Sequence, residues 1–161
     1  MDPLLKKLNY KDGSNILVIN APIDCGEIIE NFSRDGKVLR AAKDIGDQGI
    51  VFTLVFLFNS EDINTLLPPV LDKVVGDAII WLAYPKKSSK KYSSDIDRDH
   101  GWSLLGEYGY EPVRQVAINE DLSALRFRKV DFIKKFVRDE EMILSKEGKA
   151  RKDSGEKEGS N

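Results

Sequence analysis

Cysteine and histidine are almost missing from this chain: Cys25 and His100 are the single examples of each among 161 residues. One cysteine excludes an internal disulfide, and the pair together exclude a zinc site built from several cysteine or histidine ligands. Long apolar runs are missing too. The longest, Ile50 to Phe58, is interrupted by Thr53 and is far shorter than the roughly 18 residues of a membrane-spanning helix. The start, Met1-Asp2-Pro3, has no basic segment leading into an apolar one, so neither secretion nor membrane insertion is expected and a cytoplasmic address follows. Charge of one sign is also scarce. With 25 Lys+Arg against 27 Asp+Glu the net charge is −2, which gives no general attraction to nucleic acid or to an anionic bilayer. Any anion site must be local.

What is present reads as alternating strands and helices. Asp2 before Pro3 has the pattern of an N-cap and first helical position, with Leu4, Leu5 and Leu8 on one face of a short helix that ends near Gly13. Asn15 to Asn20 is an apolar run bounded by polar residues, the pattern of a strand buried on both faces. Asp24 with Glu27 resembles a capping box that opens a helix through Ile28, Ile29 and Phe32. Lys37 to Ala42 forms a weaker strand, of open direction, and Ile50 to Phe58 the strongest. Ser60 caps a helix with Ile63, Leu66, Leu67, Val70, Leu71 and Val74 at helical spacing, and Pro68-Pro69 splits it into two pieces.

Asp77 to Tyr84 is a further buried strand, closed by Pro85 and a basic loop, after which Ser94 or Asp95 opens a helix with Ile96, Leu104, Leu105 and Tyr108 inward, stopped by Gly109. Pro112–Ile118 and Leu122–Val130 are separated by a turn short enough to force them antiparallel. Phe132, Ile133, Phe136 and Val137 continue into a final helix. These elements predict one α/β domain over residues 1–144: a Rossmann-like three-layer sandwich whose mostly parallel sheet ends in an antiparallel hairpin. Residues 145–161 hold one apolar side chain beyond Ser145, Ala150, and read as a disordered charged tail.

In such sheets ligands bind beyond the carboxyl ends of the strands, which nominates the loops starting at Asn20, Asn59 and Pro85. Lys86, Lys87, Lys90 and Lys91 surround Ser88, Ser89 and Tyr92 there, and with the amides of a following helix they would cradle a phosphate or carboxylate. The candidate site is therefore Asn20, Asn59, Lys86, Lys87 and Ser88. Catalytic signals are thin. The loop Asn20-Ala21-Pro22-Ile23-Asp24-Cys25-Gly26 lacks the paired glycines of a cofactor loop, and Pro22 removes a donor. No cofactor is expected. Asp95-Ile96-Asp97-Arg98-Asp99-His100-Gly101 starts like a calcium loop, but Gly101 and Glu107 each fall one position late. His100 has no nucleophile signature beside it, and Cys25 reads as a small buried residue. Arg114, Arg126 and Arg128 share one hairpin face without the interleaved aromatics of a nucleic-acid surface.

Three stretches, Trp81-Leu82-Ala83-Tyr84-Pro85-Lys86-Lys87-Ser88, Gly109-Tyr110-Glu111-Pro112-Val113-Arg114-Gln115-Val116-Ala117-Ile118 and Ser123-Ala124-Leu125-Arg126-Phe127, resemble the prokaryotic domain-of-unknown-function family DUF3052. The resemblance spans residues 4 to 130 and implies a Rossmann-like, methyltransferase-like fold with no known activity. Together these observations favour a non-catalytic module that binds a small anionic ligand or a protein partner. The alternatives are a divergent methyltransferase-like enzyme and an RNA-associated protein.

Overall fold

The computed structural model describes residues 2–11 and 15–133. The helix beyond Ile133 and the tail over 145–161 lie outside the described residues. Six strands form one sheet in the order β2-β1-β3-β4-β6-β5: β1 (Ile16–Ile19), β2 (Val38–Leu39), β3 (Ile50–Phe56), β4 (Val74–Pro85), β5 (Tyr110–Ala117) and β6 (Leu122–Lys129). Among the described residues four α-helices accompany them: α1 (Pro3–Lys7), α2 (Gly26–Asp35), α3 (Ser60–Leu71) and α4 (Ser103–Glu107).

The sheet is mixed rather than mostly parallel. The β1/β2, β1/β3 and β3/β4 ladders run parallel, and the β4/β6 and β5/β6 ladders antiparallel. The turn between Ala117 and Leu122 is too short for a crossover, so β6 folds back on β5 and also inserts beside β4. β2, whose direction the sequence leaves open, is parallel to β1.

Alternation along β3 and β4 divides the core into two layers of side chains. Val55, Ile80 and Leu82 face α3 and α4, meeting Ile63, Leu67 and Leu105. Phe52, Leu54, Phe56 and Trp81 face the other way, onto Leu5 of α1, Leu8 just after it and Phe32 of α2. Tyr10, Phe32 and Phe52 meet edge to face there, with ring centroids 5.3 to 5.7 Å apart. Trp81 Nε1 donates to the Leu8 carbonyl at 2.8 Å and so ties α1 to the sheet.

Four local expectations change. Asp24 does not cap α2: a short 3-10 turn at Ile23–Cys25 precedes the helix, and the carboxylate is taken by distant partners. α3 runs unbroken through Pro68 and Pro69, and its N-cap is Asn59, whose Oδ1 accepts from the Asp62 N–H at 2.8 Å. The prolines are tolerated because the carbonyls they leave without donors, those of Asn64 and Thr65, belong to exposed residues, and the Asp72 N–H closes the last turn onto the Pro68 carbonyl. No helix opens at Ser94 or Asp95: the chain from there to Trp102 is irregular, because the Asp95 carboxylate binds Ser60 and Asp97 anchors a tight turn. α1 ends at Lys7, with Asn9 in the left-handed region (φ 60°).

Candidate functional site

From β1 the chain goes out to β2 on one side and returns to β3 on the other, so the topological switch point lies beyond Ile19 and Phe56. Asn20 turns the chain there with φ 63°, a conformation that asparagine tolerates better than most residues. Its side-chain amide donates to the Phe56 carbonyl at 3.0 Å and bridges the two strands.

The segment after β4 crosses above this crevice. Lys91 Nζ reaches the Asp24 carboxylate at 2.9 Å and the Tyr92 hydroxyl donates to it at 3.2 Å. The Tyr92 ring packs on Phe58 with centroids 5.1 Å apart. The Ser60 hydroxyl and backbone N–H both donate to Asp95. On the other flank Ser89 Oγ donates to Asp121 at 2.8 Å, and the Lys86 N–H to the Asp121 carbonyl at 2.8 Å. Residues 86–96 thus form a strap pinned at both sides. The hydrogen bond from Lys91 is the main cause holding the Asp24 carboxyl below its usual value, and burial with the Asp24 charge pushes the Cys25 thiol up to about 11.

Beside the strap, beyond the carboxyl end of β4, an open cleft of about 510 Å³ is lined by Tyr84, Lys86, Lys87 and Ser88, by Asp97, Arg98 and Asp99, and by Gln115 and Ser123. A smaller one of about 240 Å³, between Pro85 and Ile96, shares Lys86, Lys87 and Asp97 with it. β4/β6 register sets Tyr84 opposite Ser123, and Gln115 Nε2 donates to the Tyr84 oxygen at 3.0 Å. Burial raises the Tyr84 phenol, while Arg98 and Ser123 oppose that rise.

The outer wall is the turn from Asp97 to Trp102. Asp97 accepts from the Asp99 N–H at 2.9 Å, meets His100 Nδ1 at 2.8 Å and pairs with Lys87 at 3.3 Å. Burial opposes ionisation of Asp97, but the bonds from His100, the Asp99 backbone and Lys87 outweigh it and hold the carboxyl at about 2. Trp102 Nε1 closes the turn on the Asp97 carbonyl at 2.7 Å.

Of the residues nominated from sequence, Lys86, Lys87 and Ser88 come together in this cleft. Asn20 and Asn59 do not line it: one bridges strands and the other caps a helix. The helix amides expected near Ser94 are not there to help. Tyr84, Asp97, Arg98, Asp99, Gln115 and Ser123 complete the lining and were not nominated from sequence. Arg114 lies opposite Arg126 on the hairpin, and Arg128 is gripped by Asp77 through two of its nitrogens, at 2.9 and 2.6 Å.

No family model matches the chain, so membership of DUF3052 is unsupported, and no curated protein matches it in sequence. Among solved structures it is similar to a SAM dependent methyltransferase from Aquifex aeolicus, at 14% identity and a TM-score of 0.58, over 79% of this chain and 88% of that one. A protein from Sulfolobus solfataricus assigned as a type 11 methyltransferase aligns with a TM-score of 0.50 at 10% identity, over 83% of this chain and 94% of that one. A protein from Streptococcus thermophilus described as a hemolysin aligns with a TM-score of 0.52 at 9% identity, over 96% and 73%. The two methyltransferase likenesses overturn the reading of a non-catalytic binding module, and what they show of this chain is its fold.

The methyl donor that the first of these descriptions names, S-adenosylmethionine, does not fit the crevice as the residues stand. Pro22 lacks an amide in the loop after β1, and the Asn20 amide and the Tyr92 ring occupy the approach to the switch point. About 20 residues after the first-strand loop, where such sheets place an acid for the ribose, the exposed Arg40 stands just beyond β2. Among the described residues no helix is long and apolar enough to cross a membrane. The chain therefore has an α/β, Rossmann-like fold of the methyltransferase type, with its switch-point crevice covered by its own strap.

Proposed function

We propose that this chain is a divergent methyltransferase-like enzyme whose substrate is held in the cleft beyond β4, β5 and β6. What carries the reading is the fold: a doubly wound sheet similar to that of the Aquifex aeolicus methyltransferase, with an open polar cleft on the strand edge where such sheets take ligands. Fold likeness is an argument by analogy, and the cleft adds chemistry to it. Tyr84, Ser123 and Gln115 give a hydrogen-bonding floor, and Lys86, Lys87 and Arg98 a basic rim, which together can orient a polar substrate and exclude part of its water. Asn20 and Asn59 serve the scaffold around the crevice, and a cytoplasmic address suits an enzyme of small molecules.

S-adenosylmethionine does not fit the crevice with Pro22, Asn20 and the strap in place, so this reading requires at least that the strap leave the switch point. Its anchors there are an exposed ion pair, a phenol hydrogen bond, one ring contact and the two hydrogen bonds from Ser60 to Asp95, which are individually weak. The test is calorimetric titration of S-adenosylmethionine into the wild type and into Tyr92→Ala, paired with transfer of a labelled methyl group. Binding is expected to be stronger in the variant. Absence of binding and of transfer in both proteins would refute the proposal.

A further inference from the structure

Resting on that reading, and deepening it, we infer that the cleft beyond β4 is built for a small substrate carrying an oxyanion, a phosphate or a carboxylate group. The charges decide the sign. Lys87 is paired with Asp97, while among the described residues Lys86 and Arg98 make no ion pair. Asp97 is fully engaged by Lys87, His100 and the Asp99 N–H. That leaves two unpaired cations in the lining against one unpaired carboxylate, Asp99.

The uncharged groups converge on the same choice. The buried Tyr84 oxygen accepts from Gln115 and is hydrogen-bonded to Ser123, so these three side chains form an oriented polar floor for a ligand's oxygens. Ser123, also buried, and Ser88 add hydroxyls on either side. Arg98 supplies a planar fork suited to two oxygens of one ligand, and Lys86 a point charge. A cationic ligand would have to face both unpaired cations with Asp99 as its one free partner. Lys87 and Asp97 are shared with the smaller cleft beneath the strap, so the oxyanion would sit at the root of the segment that covers the switch point.

The inference is tested by titrating the intact protein with inorganic phosphate and, separately, with acetate at constant ionic strength, following backbone amide shifts. Saturable shifts confined to residues 86–88, 97–99 and 123 are expected, and the tighter of the two probes identifies the oxyanion. Removing one charge-assisted contact in Lys86→Ala or Arg98→Ala should weaken binding about tenfold, whereas Lys90→Ala, outside the cleft, should leave it unchanged. Shifts that never saturate, or that spread over lysines elsewhere, would overturn the inference, as would equal loss in the Lys90 variant. Failure here with methyl transfer intact sinks the oxyanion assignment alone. Oxyanion binding with no response to S-adenosylmethionine in any variant sinks the enzymatic reading instead.

Discussion

Trp81 offers the most quantitative test of the scaffold that positions the cleft. Its side chain is fully buried between β4 and α1, beside Leu54 and Phe56, and its Nε1 holds the Leu8 carbonyl at 2.8 Å. Trp81→Ala removes the ring, at a cost of about 3 to 5 kcal/mol for large-to-small core changes, and leaves the Leu8 carbonyl without that donor, at about 1 kcal/mol more. The sum, about 4 to 6 kcal/mol, approaches the whole stability of many domains, which is about 5 to 15 kcal/mol. Trp81→Phe keeps most of the apolar volume and loses the bond, so its cost should be about 1 to 2 kcal/mol. Urea unfolding at unchanged slope measures both values. Hydrogen exchange then separates the two effects. In the Phe variant the Leu8 and Tyr10 amides, bonded to the Leu4 and Leu5 carbonyls, should exchange faster while those of β3 do not. A loss below about 1 kcal/mol for Trp81→Ala, or uniform exchange in the Phe variant, would refute the packing described.

Asp24→Asn removes the charge that holds Lys91 and should loosen the strap by no more than about 1 kcal/mol; faster exchange across residues 89–96 with an unchanged urea midpoint is the expected signature. Asp97 titrates at about 2 against an ordinary 3.8, so its contribution is complete above about pH 4 and disappears as pH falls toward 2. Asp97→Asn should flatten that part of the acid stability profile, and an unaltered profile would contradict the ion-pair geometry. Cys25, buried with its thiol pushed up to about 11, should resist iodoacetamide at pH 8 until the protein is unfolded. Gly101→Ala places a side chain at φ 101°, against Ile96, and should disturb amide shifts from residue 97 to 102 before it disturbs the sheet.

The strands were legible because their signal is local. Ile16–Ile19, Ile50–Phe56 and the second half of Val74–Pro85 are apolar on both faces, and each is covered on both sides. The short turn after Ala117 likewise dictated the antiparallel pairing of β5 and β6. Readings failed where a side chain with a plausible local use was claimed from far away. Asp24 has the spacing of a capping box, yet Lys91 and Tyr92, 67 and 68 residues distant, take its carboxylate. Asp95 reads as a helix opener and is taken by Ser60 instead. Pro68-Pro69 reads as a break, but its cost falls on exposed carbonyls that water can serve.

The cleft depended on register more than on any motif. Lys86, Lys87 and Ser88 could be named because Pro85 ends a strand and strand ends carry ligands. Tyr84 and Ser123 meet only if β6 inserts between β4 and β5 with its first residue opposite Pro85. Slipping that ladder by one residue would turn Ser123 to the other face of the sheet and replace it with an apolar neighbour. Nothing in the segment from Leu122 to Lys129 announces which neighbour it takes besides β5. The Asp97-Arg98-Asp99-His100 run, tested against a calcium loop by spacing alone, instead folds on itself: Asp97 spends its carboxylate on the turn and on Lys87, and Arg98 is left facing the cleft. A residue's chemistry at this edge is thus set by which of its neighbours are already satisfied, a property of the assembled sheet that no single stretch of the chain encodes.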